Sequence, residues 1–246
     1  MSRITEPDLS RVAAAIGEPA RAAMLAALLG GEWLSAGELA RQAGISPQTA
    51  SGHLARLVAA GLVARRVAGR RREYALAGRG VAAALEALAR IAPRRAGAAG
   101  ARASGGRSAA ARASGEQALR FARTCYDHLA GRLGVLVTDT LVARGLIPAS
   151  CHDVTPRGED WLRGLGIDVE TLRRARRTFA RPCLDWSERR DHLAGAVGAA
   201  LAATMLERRW LARIEGTRAL RLTVRGREGL YRVLGLEVEP GPAAAR

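Results

Sequence analysis

Aromatic side chains, lysine and cysteine are all scarce or missing in this sequence. Aromatic residues make up 4% of the 246 residues, whereas 48% are hydrophobic, so any core consists mainly of Ala, Leu and Val. Ala and Leu are strong helix formers, which favours a mainly helical fold. No lysine is present, and arginine supplies all 39 basic residues. The three cysteines are scattered and odd in number, which argues against a disulfide framework and indicates a reducing, cytoplasmic environment.

Long apolar segments and a targeting signal are also missing. No stretch reaches the roughly eighteen uncharged apolar residues that a transmembrane helix needs. The N-terminal residues MSRITEPDLSRV are polar and of mixed charge, unlike a signal peptide. We therefore expect a cytoplasmic protein that has no membrane partner.

The net charge of the sequence is strongly positive. Basic residues number 39 against 23 acidic ones, which leaves a formal net charge of +16. A surface this positive attracts polyanions, and the arginine guanidinium binds phosphate groups through paired hydrogen bonds. Double-stranded DNA is therefore the first partner to consider.

Residues 35–80 contain the start and stop signals of short helices, followed by a hairpin. Ser35 is placed to cap a helix, with Glu38 in the capping-box position, and Gly44 is placed to end that helix. Ser46 and Pro47 are placed to start a second helix. The segments LVARRV and REYAL, joined by AGRR, predict two strands and a turn. Helix, tight turn, helix and hairpin is the order of a winged helix-turn-helix.

The second of these helices carries a candidate DNA-contact surface. With Leu54 at the centre of the buried face, a spacing of about 100° per residue places Ala50 and Leu57 on that face as well. Polar residues point away from this face or lie at its edge, and the hairpin adds arginines suited to phosphates. The predicted DNA-contact residues are Ser46, Gln48, Thr49, Ser51, Gly52, His53 and Arg56 of the helix and Arg70, Arg71 and Arg72 of the hairpin.

The stretch ISPQTASGHLARLVAAGLVARRVAGRRREYAL resembles the ArsR family of bacterial winged-helix repressors. The recurring features are Ser-x-x-Thr-x-Ser-x-His-Leu-x-x-Leu from Ser46 to Leu57, Ala-Gly-Leu-Val at 60–63, the arginine-rich hairpin and Tyr-x-Leu at 74–76. The resemblance covers residues 10–92, about a third of the chain. It implies a homodimer, formed through the helices that flank the winged unit, that binds inverted repeats in promoters and is released by a ligand.

Two metal sites that are familiar in the ArsR family are missing from the matching positions. The segment before the predicted DNA-contact helix, WLSAGELARQ, contains no Cys or His. The last helix of the winged unit, VAAALEALARIA, contains no Asp or His. Sensing is therefore expected in the rest of the chain. We predict a winged helix-turn-helix DNA-binding domain over residues 1–92, an Ala/Gly/Arg-rich linker over 93–118 and an effector or sensor domain over 119–246.

Two short motifs recur in the second half of the chain. Asp-His-Leu-Ala-Gly occurs at residues 127–131 and 191–195, and Thr-x-Arg-Gly occurs at 155–158 and 223–226. The recurrence predicts a duplication with repeats at about 119–170 and 180–239, each a degenerate winged-helix-like unit in which a helix leads through a short hairpin into the next helix. The predicted fold class is mainly α with small β-hairpins, and each Asp-His-Leu-Ala-Gly is predicted to start a helix.

A cysteine and a histidine accompany each copy of the pentapeptide. Cys125 and His128 are three residues apart and would share one face of a helix, and Cys183 and His192 are their counterparts. If the copies pack together, these thiolates and imidazoles could converge on a soft or borderline metal ion such as Zn(II) or Cd(II). A small organic effector in the same domain, or a purely structural role for these residues, are the alternatives.

The neighbouring acidic residues have a structural interpretation. Asp127 and Asp191 are expected to cap helices or to pair with arginines such as Arg123 and Arg190. The cluster Cys-His-Asp that begins at Cys151 has no counterpart in the second copy.

These features together predict a bacterial, sequence-specific DNA-binding transcriptional regulator, a repressor released by an effector that binds in the C-terminal domain. The alternatives are a basic protein that coats DNA without sequence preference and an enzyme that uses a Cys-His pair. No Gly-rich phosphate loop, Gly-x-Ser-x-Gly or His-Glu-x-x-His motif occurs in the sequence. We therefore expect no enzymatic activity and no cofactor apart from the candidate effector ion.

Overall fold

The computed structural model describes residues 7–93 and 109–241, and these belong to two compact units. The first unit includes the described residues up to Leu88, together with Pro93, and the second includes Ala89–Ala92 and residues 109–241. The predicted linker falls mostly outside the described residues, in 94–108. Its C-terminal part, residues 109–118, belongs to a helix, Ala109–Phe121.

The first unit is a winged helix-turn-helix, as predicted. Its three strands form one antiparallel sheet in the order β1-β3-β2. In chain order its elements are α1 (Leu9–Ile16), α2 (Pro19–Leu28), β1 (Leu34–Ser35), α3 (Ala36–Ala43), α4 (Pro47–Ala59), β2 (Val63–Ala68), β3 (Arg71–Leu76) and α5 (Arg79–Ile91).

Local capping interactions determine where α3 and α4 begin and end. Ser35 and Glu38 form the predicted capping box at the start of α3, and Gly44 ends it in the left-handed conformation, with φ of 67°. The Ser46 hydroxyl accepts a hydrogen bond from the backbone N–H of Thr49, and Pro47 occupies the first turn of α4, where its missing N–H costs nothing. The predicted boundaries of both helices are confirmed.

The core of the first unit is aliphatic, as the low aromatic content requires. Side chains from α2, α3 and α4 meet in it and exclude water almost completely, which stabilises the unit through burial of apolar surface. The most deeply buried of them are Met24, Leu25, Leu28, Leu39, Leu54 and Leu57.

The second unit combines helices with small antiparallel hairpins. The pairs β4-β5, β6-β7 and β8-β9 each form a two-stranded sheet. In chain order its elements are α6 (Ala109–Phe121), β4 (Arg123–Cys125), β5 (His128–Ala130), α7 (Arg132–Ala143), α8 (Pro156–Gly164), α9 (Val169–Arg174), β6 (Arg181–Leu184), β7 (Asp191–Ala194), α10 (Gly195–Glu207), β8 (Leu211–Arg213), β9 (Leu220–Leu222) and α11 (Val224–Leu234).

The two Asp-His-Leu-Ala-Gly stretches are not helix starts, and that prediction is wrong. Their apolar residues lie in β5 and β7, where they are buried, and only the final glycine leads into a helix. Gly131 and Gly195 have φ of 83° and 88°, a backbone conformation that turns each strand sharply into α7 or α10. A side chain at either glycine would also collide with a carbonyl, of Arg120 or Phe179 respectively.

The hairpin expected before each Thr-x-Arg-Gly is present only in the second half. There β8 and β9 precede α11, whereas the described residues between α7 and α8 contain no strand. Pro148 cannot donate to a strand ladder, and Cys151 adopts a positive φ of 55°, so this connection is an irregular turn. Thr155 and Thr223 nevertheless play the same role, since each caps the following helix by accepting from the N–H of the glycine three residues later.

One hydrophobic cluster runs through both halves of the second unit. Helix α7 contacts β7, and α10 contacts β5, so each half packs its helix on the other half's hairpin. Leu129 and Leu133 from the first half join Leu193 and Leu201 from the second in this cluster. The two hairpins are therefore held side by side.

Among residues 7–93 and 109–241, the structure contains no helix with the length and apolarity needed to cross a membrane.

The glycine of Thr-x-Arg-Gly gives a test of this packing. A Cβ on Gly226 would collide with the carbonyl oxygen of Trp210 and lie 2.8 Å from Leu222, and Gly158 has an equivalent collision with Leu146. Gly226→Ala is expected to lower the free energy of unfolding by about 1–3 kcal/mol, as measured by urea denaturation. Gly164→Ala in α8 is the control, because no atom lies within 4 Å of the added methyl. Equal destabilisation by both substitutions would contradict this account of the motif.

Candidate functional site

Helix α4 presents the polar surface that the sequence predicts. Ala50, Leu54 and Leu57 are buried. The predicted contact residues on the opposite side and at the helix start are exposed to solvent, namely Ser46, Gln48, Thr49, Ser51, Gly52 and Arg56.

Hydroxyl groups of this surface take part in the helix itself. The hydroxyls of Ser46 and Thr49 lie 2.8 Å apart, and Ser51 donates to the carbonyl of Pro47 at 3.1 Å. Gln48 and Arg56 make no side-chain hydrogen bond within the described part of the chain. They are the side chains of α4 best placed to form hydrogen bonds with base edges or phosphates.

His53 differs from the rest of the predicted set. Its Nδ1 lies 3.4 Å from Oε2 of Glu18 and 3.5 Å from the guanidinium of Arg21, and only 18% of the side chain is exposed. The imidazole therefore connects α4 to the start of α2. This position favours a structural role instead of the predicted DNA contact.

The β2–β3 wing carries arginines that have no partner of their own. Arg65, Arg70, Arg71 and Arg72 are exposed and make no ion pair with any described residue. Arg66 differs, because it pairs with Glu73 at 2.7 Å and covers the Trp33 ring. The unpaired arginines line a groove of 760 Å³ between the wing and α4, a shape and charge suited to a phosphate backbone.

The predicted effector residues lie in the two hairpins of the second unit, not on helices. Cys125 in β4 is directly opposite His128 in β5, and Cys183 in β6 is directly opposite His192 in β7. A shared helix face was the wrong prediction for Cys125 and His128, because Tyr126, with φ of 62°, lies in a two-residue turn that joins the two strands. The pairing of one cysteine with one histidine in each half is nevertheless retained.

The two Cys-His pairs converge. One ligand atom from each of the four residues can be chosen so that all lie within 4.8 Å of one another, and all four residues are buried. The sulfur atoms of Cys125 and Cys183 are 3.9 Å apart, and the rings of His128 and His192 have centroids 5.1 Å apart. We call these four residues the Cys-His cluster. Cys151 is also buried, but it lies outside the cluster.

The surroundings of the cluster shift the pKa values of its members. The neighbouring Cys125 thiol and the two imidazoles lower the pKa of Cys183 far below that of an ordinary thiol, despite burial. Burial by itself would lower the pKa of His192, but Asp185 and Cys183 raise it above its usual value. Binding of a metal ion to this cluster requires the thiolate form of the cysteines and the neutral form of the imidazoles.

Two carboxylates flank the cluster, and one of them was missed at the sequence level. Asp127 pairs with Arg177 at 2.9 Å and not with Arg123. Arg123 instead forms a fully buried pair with Asp185 at 2.8 Å. Arg190 pairs with Asp139 at 2.8 Å. The predicted arginine partners were therefore wrong, although the structural role of Asp127 stands.

A sequence signal for Asp185 did exist. Each cysteine of the cluster is followed two residues later by an aspartate, so that Cys-x-Asp occurs at 125–127 and at 183–185. In the first copy, Asp127 belongs both to Cys-x-Asp and to Asp-His-Leu-Ala-Gly. In the second copy these are two different residues, Asp185 and Asp191, and Asp191 is exposed at the start of β7.

A capped helix-turn-helix with a basic wing defines a DNA-binding transcription regulator of the winged helix-turn-helix class. The family described as helix-turn-helix domain matches residues 16–66. Over 235 residues the chain is 40% identical to the uncharacterized HTH-type transcriptional regulator YdfF of Bacillus subtilis (strain 168), a match that covers 94% of this chain and 99% of that protein. The chain belongs to the family of HTH-type transcriptional regulators that includes YdfF.

Solved structures similar to the chain match about a third of it. The winged helix-turn-helix domain of Mb0332 from Mycobacterium bovis, a possible ArsR-family regulator, is 28% identical, covers 35% of this chain and 86% of its own, and has a TM-score of 0.31. The cadmium sensor CMTR from Mycobacterium tuberculosis is 37% identical, covers 34% of this chain and 85% of its own, and has a TM-score of 0.30.

The wing arginines give a test of the DNA interface. Replacing Arg70, Arg71 and Arg72 together with Ala is expected to weaken binding to all duplex DNA and to reduce the slope of log K against log salt by up to about 3 for each bound protomer, since each phosphate contact contributes about 0.9. Fluorescence anisotropy at several salt concentrations measures this slope. The matched control replaces Arg221 and Arg225, which are exposed in the second unit.

A contrasting variant separates sequence recognition from charge. Gln48→Ala with Thr49→Ala removes no charge, so it is expected to reduce the preference for the protein's own promoter over random DNA while leaving the salt slope unchanged. If the wild type itself shows no preference for any promoter fragment, the protein coats DNA without sequence preference.

Proposed function

We propose that the protein is a repressor of the ArsR type that binds operator DNA as a homodimer through α4 and the wing, and that a thiophilic divalent ion such as Zn(II) or Cd(II) releases it. The ion binds to the cluster of Cys125, His128, Cys183 and His192. The observation that carries the proposal is the convergence of these four buried side chains, with ligand atoms within 4.8 Å of one another.

The separation of the sulfur atoms matches tetrahedral coordination. In a regular tetrahedron the ligands are about 1.6 times the bond length apart, so a Zn–S bond of about 2.3 Å corresponds to an S–S separation of about 3.8 Å. The observed separation between Cys125 and Cys183 is 3.9 Å. Two thiolates and two imidazoles complete a set typical of Zn(II) and related soft ions.

A metal ion fits this part of the second unit better than an organic effector does. The cavity beside the cluster, lined by Leu129, Gly134, Leu193 and Gly198 among others, has a volume of 20 Å³. Pockets for organic ligands typically have volumes of about 300–1,000 Å³. The convergence of soft ligand atoms, beside a cavity of this small size, favours the ion.

The proposal includes a duplication of the second unit. Each half contributes one hairpin with a Cys-His pair, one glycine of positive φ after that hairpin and one threonine-capped helix. The two halves also exchange contacts, with Gly134 of α7 against His192 and Gly198 of α10 against His128. This reciprocity supports an origin from two copies of one unit, with a single metal ion shared between them.

The proposed homodimer has a candidate surface on the first unit. Leu9 of α1 and Leu88 of α5 are exposed although both are large and apolar, and these helices flank the winged unit. Exposed apolar residues on flanking helices are consistent with the dimerisation mode that the ArsR resemblance implies.

Metal titration of the purified protein tests the proposed function. The wild type is expected to bind one Zn(II) or Cd(II) per chain and to lose affinity for its promoter when loaded. Cys125→Ser and Cys183→Ser should each weaken metal binding by more than about 100-fold. Removing an outer-sphere partner lowers metal affinity by about 10- to 100-fold, and removing a direct ligand should lower it further. Cys151→Ser is the matched control, since Cys151 is equally buried but outside the cluster. Tight binding retained in both cluster variants would contradict the proposal.

A redox response of the same thiols is the second candidate. Cys125 and Cys183 form no disulfide, but their sulfur atoms would need to approach by only about 1.9 Å to reach a bond length of about 2.05 Å. A peroxide would take two electrons and two protons from the thiols and be reduced to water. If the wild type binds no metal but releases DNA after peroxide treatment, and Cys125→Ser abolishes this response, the effector is an oxidant.

A further inference from the structure

We infer that Asp127 and Asp185 are the positioning residues of the metal centre, and that each holds Nδ1 of one histidine so that Nε2 is the nitrogen presented to the ion. The inference rests on the metal site proposed above and deepens it. It assigns a role to Cys-x-Asp, the motif that occurs twice in the sequence.

The first observation is a matched pair of distances. Oδ1 of Asp127 lies 3.3 Å from Nδ1 of His128, and Oδ2 of Asp185 lies 3.3 Å from Nδ1 of His192. Histidine ligands of metal ions usually donate their second ring N–H to a carboxylate or carbonyl, which selects the tautomer and orients the ring. A carboxylate oxygen therefore lies 3.3 Å from Nδ1 of each imidazole, as a hydrogen bond at His128 and as a close contact without hydrogen-bond alignment at His192.

The second observation concerns the opposite ring nitrogens. Nε2 of His128 and Nε2 of His192 are both buried, and neither has a hydrogen-bond partner among the described residues. Buried polar atoms are nearly always satisfied, so two such atoms in one cluster with two thiols indicate a missing ligand. At His128, whose Nδ1 is bonded to Asp127, Nε2 is the nitrogen left for coordination. At His192 both ring nitrogens lack a hydrogen bond, and the 3.3 Å contact of Nδ1 with Asp185 assigns Nε2 to the ion.

Each aspartate is itself held by an arginine. Arg177 donates to Asp127 at 2.9 Å, and Arg123 donates to Asp185 at 2.8 Å. Each histidine of the cluster is therefore the last member of a series of neighbouring side chains in which an arginine contacts an aspartate and the aspartate contacts the histidine. Gly134 and Gly198 pack against the strands that carry the histidines, since an added Cβ would lie 2.7 Å and 2.4 Å from the carbonyl oxygens of Leu129 and Leu193.

The two carboxylates differ in how firmly they are held. The Asp185 side chain is 0% exposed and also accepts from the N–H of Gly131 at 2.7 Å and from the hydroxyl and N–H of Ser187 at 2.7 and 2.9 Å. The Asp127 side chain is 29% exposed, and water competes for it. Asp185 therefore constrains its histidine more strongly than Asp127 does.

His192 itself is not yet in hydrogen-bond geometry. Its Nδ1 lies within 3.3 Å of Asp185 but makes no aligned hydrogen bond. A small rotation of the ring would direct Nδ1–H at the carboxylate and Nε2 at the sulfur atoms. We expect the ion to stabilise this rotated position, so the contribution of Asp185 should appear in metal affinity.

The test compares Asp127→Asn and Asp185→Asn with Asp160→Asn, whose side chain is 75% exposed on α8 and distant in sequence from both motifs. Zn(II) affinity is measured by competition with a chromophoric chelator. Both motif variants are expected to bind about 10- to 100-fold more weakly than the control, with the larger loss for Asp185→Asn. The d–d absorption of the Co(II)-loaded proteins provides a second measurement, which should keep tetrahedral intensity but shift in band position in the motif variants.

The outcomes separate this inference from the proposed function. If the wild type binds neither Zn(II) nor Co(II), the metal site itself is wrong. If the wild type binds tightly and both motif variants match Asp160→Asn in affinity and in Co(II) spectrum, the metal site stands and the positioning role is overturned, whatever happens to the stability of the metal-free proteins. Should Asp185→Asn fail to fold, Asp127→Asn decides the question alone.

Discussion

The buried ion pair between Asp185 and Arg123 is the contact on which the second unit depends most. Both side chains are excluded from water, with exposed fractions of 0% and 1%. A carboxylate in such a place is tolerable only when donors surround it, and here they come from both halves: Arg123 and Gly131 from the first, Ser187 from the second. Oδ2 of Asp185, which accepts from Gly131 of the other half, also lies 3.3 Å from Nδ1 of His192, so the assembly of the unit and the geometry of its cluster cannot be changed separately.

The winged unit was predictable because its signals are local. Ser35 with Glu38, Gly44, and Ser46 with Pro47 act within one helical turn, and the structure uses each of them as the sequence indicates. The second unit was less predictable because its strands are very short and because β4 and β5 are buried on both faces. Leu129 and Ala130 show no alternation that would separate a strand from a helix, so the prediction of a helix start failed.

The membership of the Cys-His cluster could be inferred from the recurrence of the motif, but its geometry could not. Three-residue spacing suits both a helix face and a tight hairpin, and only the positive φ at Tyr126 distinguishes them. The choice of partner is harder still, because it is decided by tertiary packing. Arg123 is close to Asp127 in sequence, yet it pairs with Asp185, 62 positions further along the chain.

The burial of all four members of the cluster also affects how fast a bound ion could be released. A tetrahedral ion held by these side chains would have no coordination position open to solvent and no water to exchange. Its departure would require one hairpin to separate from the other, which is a local unfolding event and far slower than diffusion. A regulator built in this way would stay in its metal-bound state for some time after the concentration of free ion has fallen.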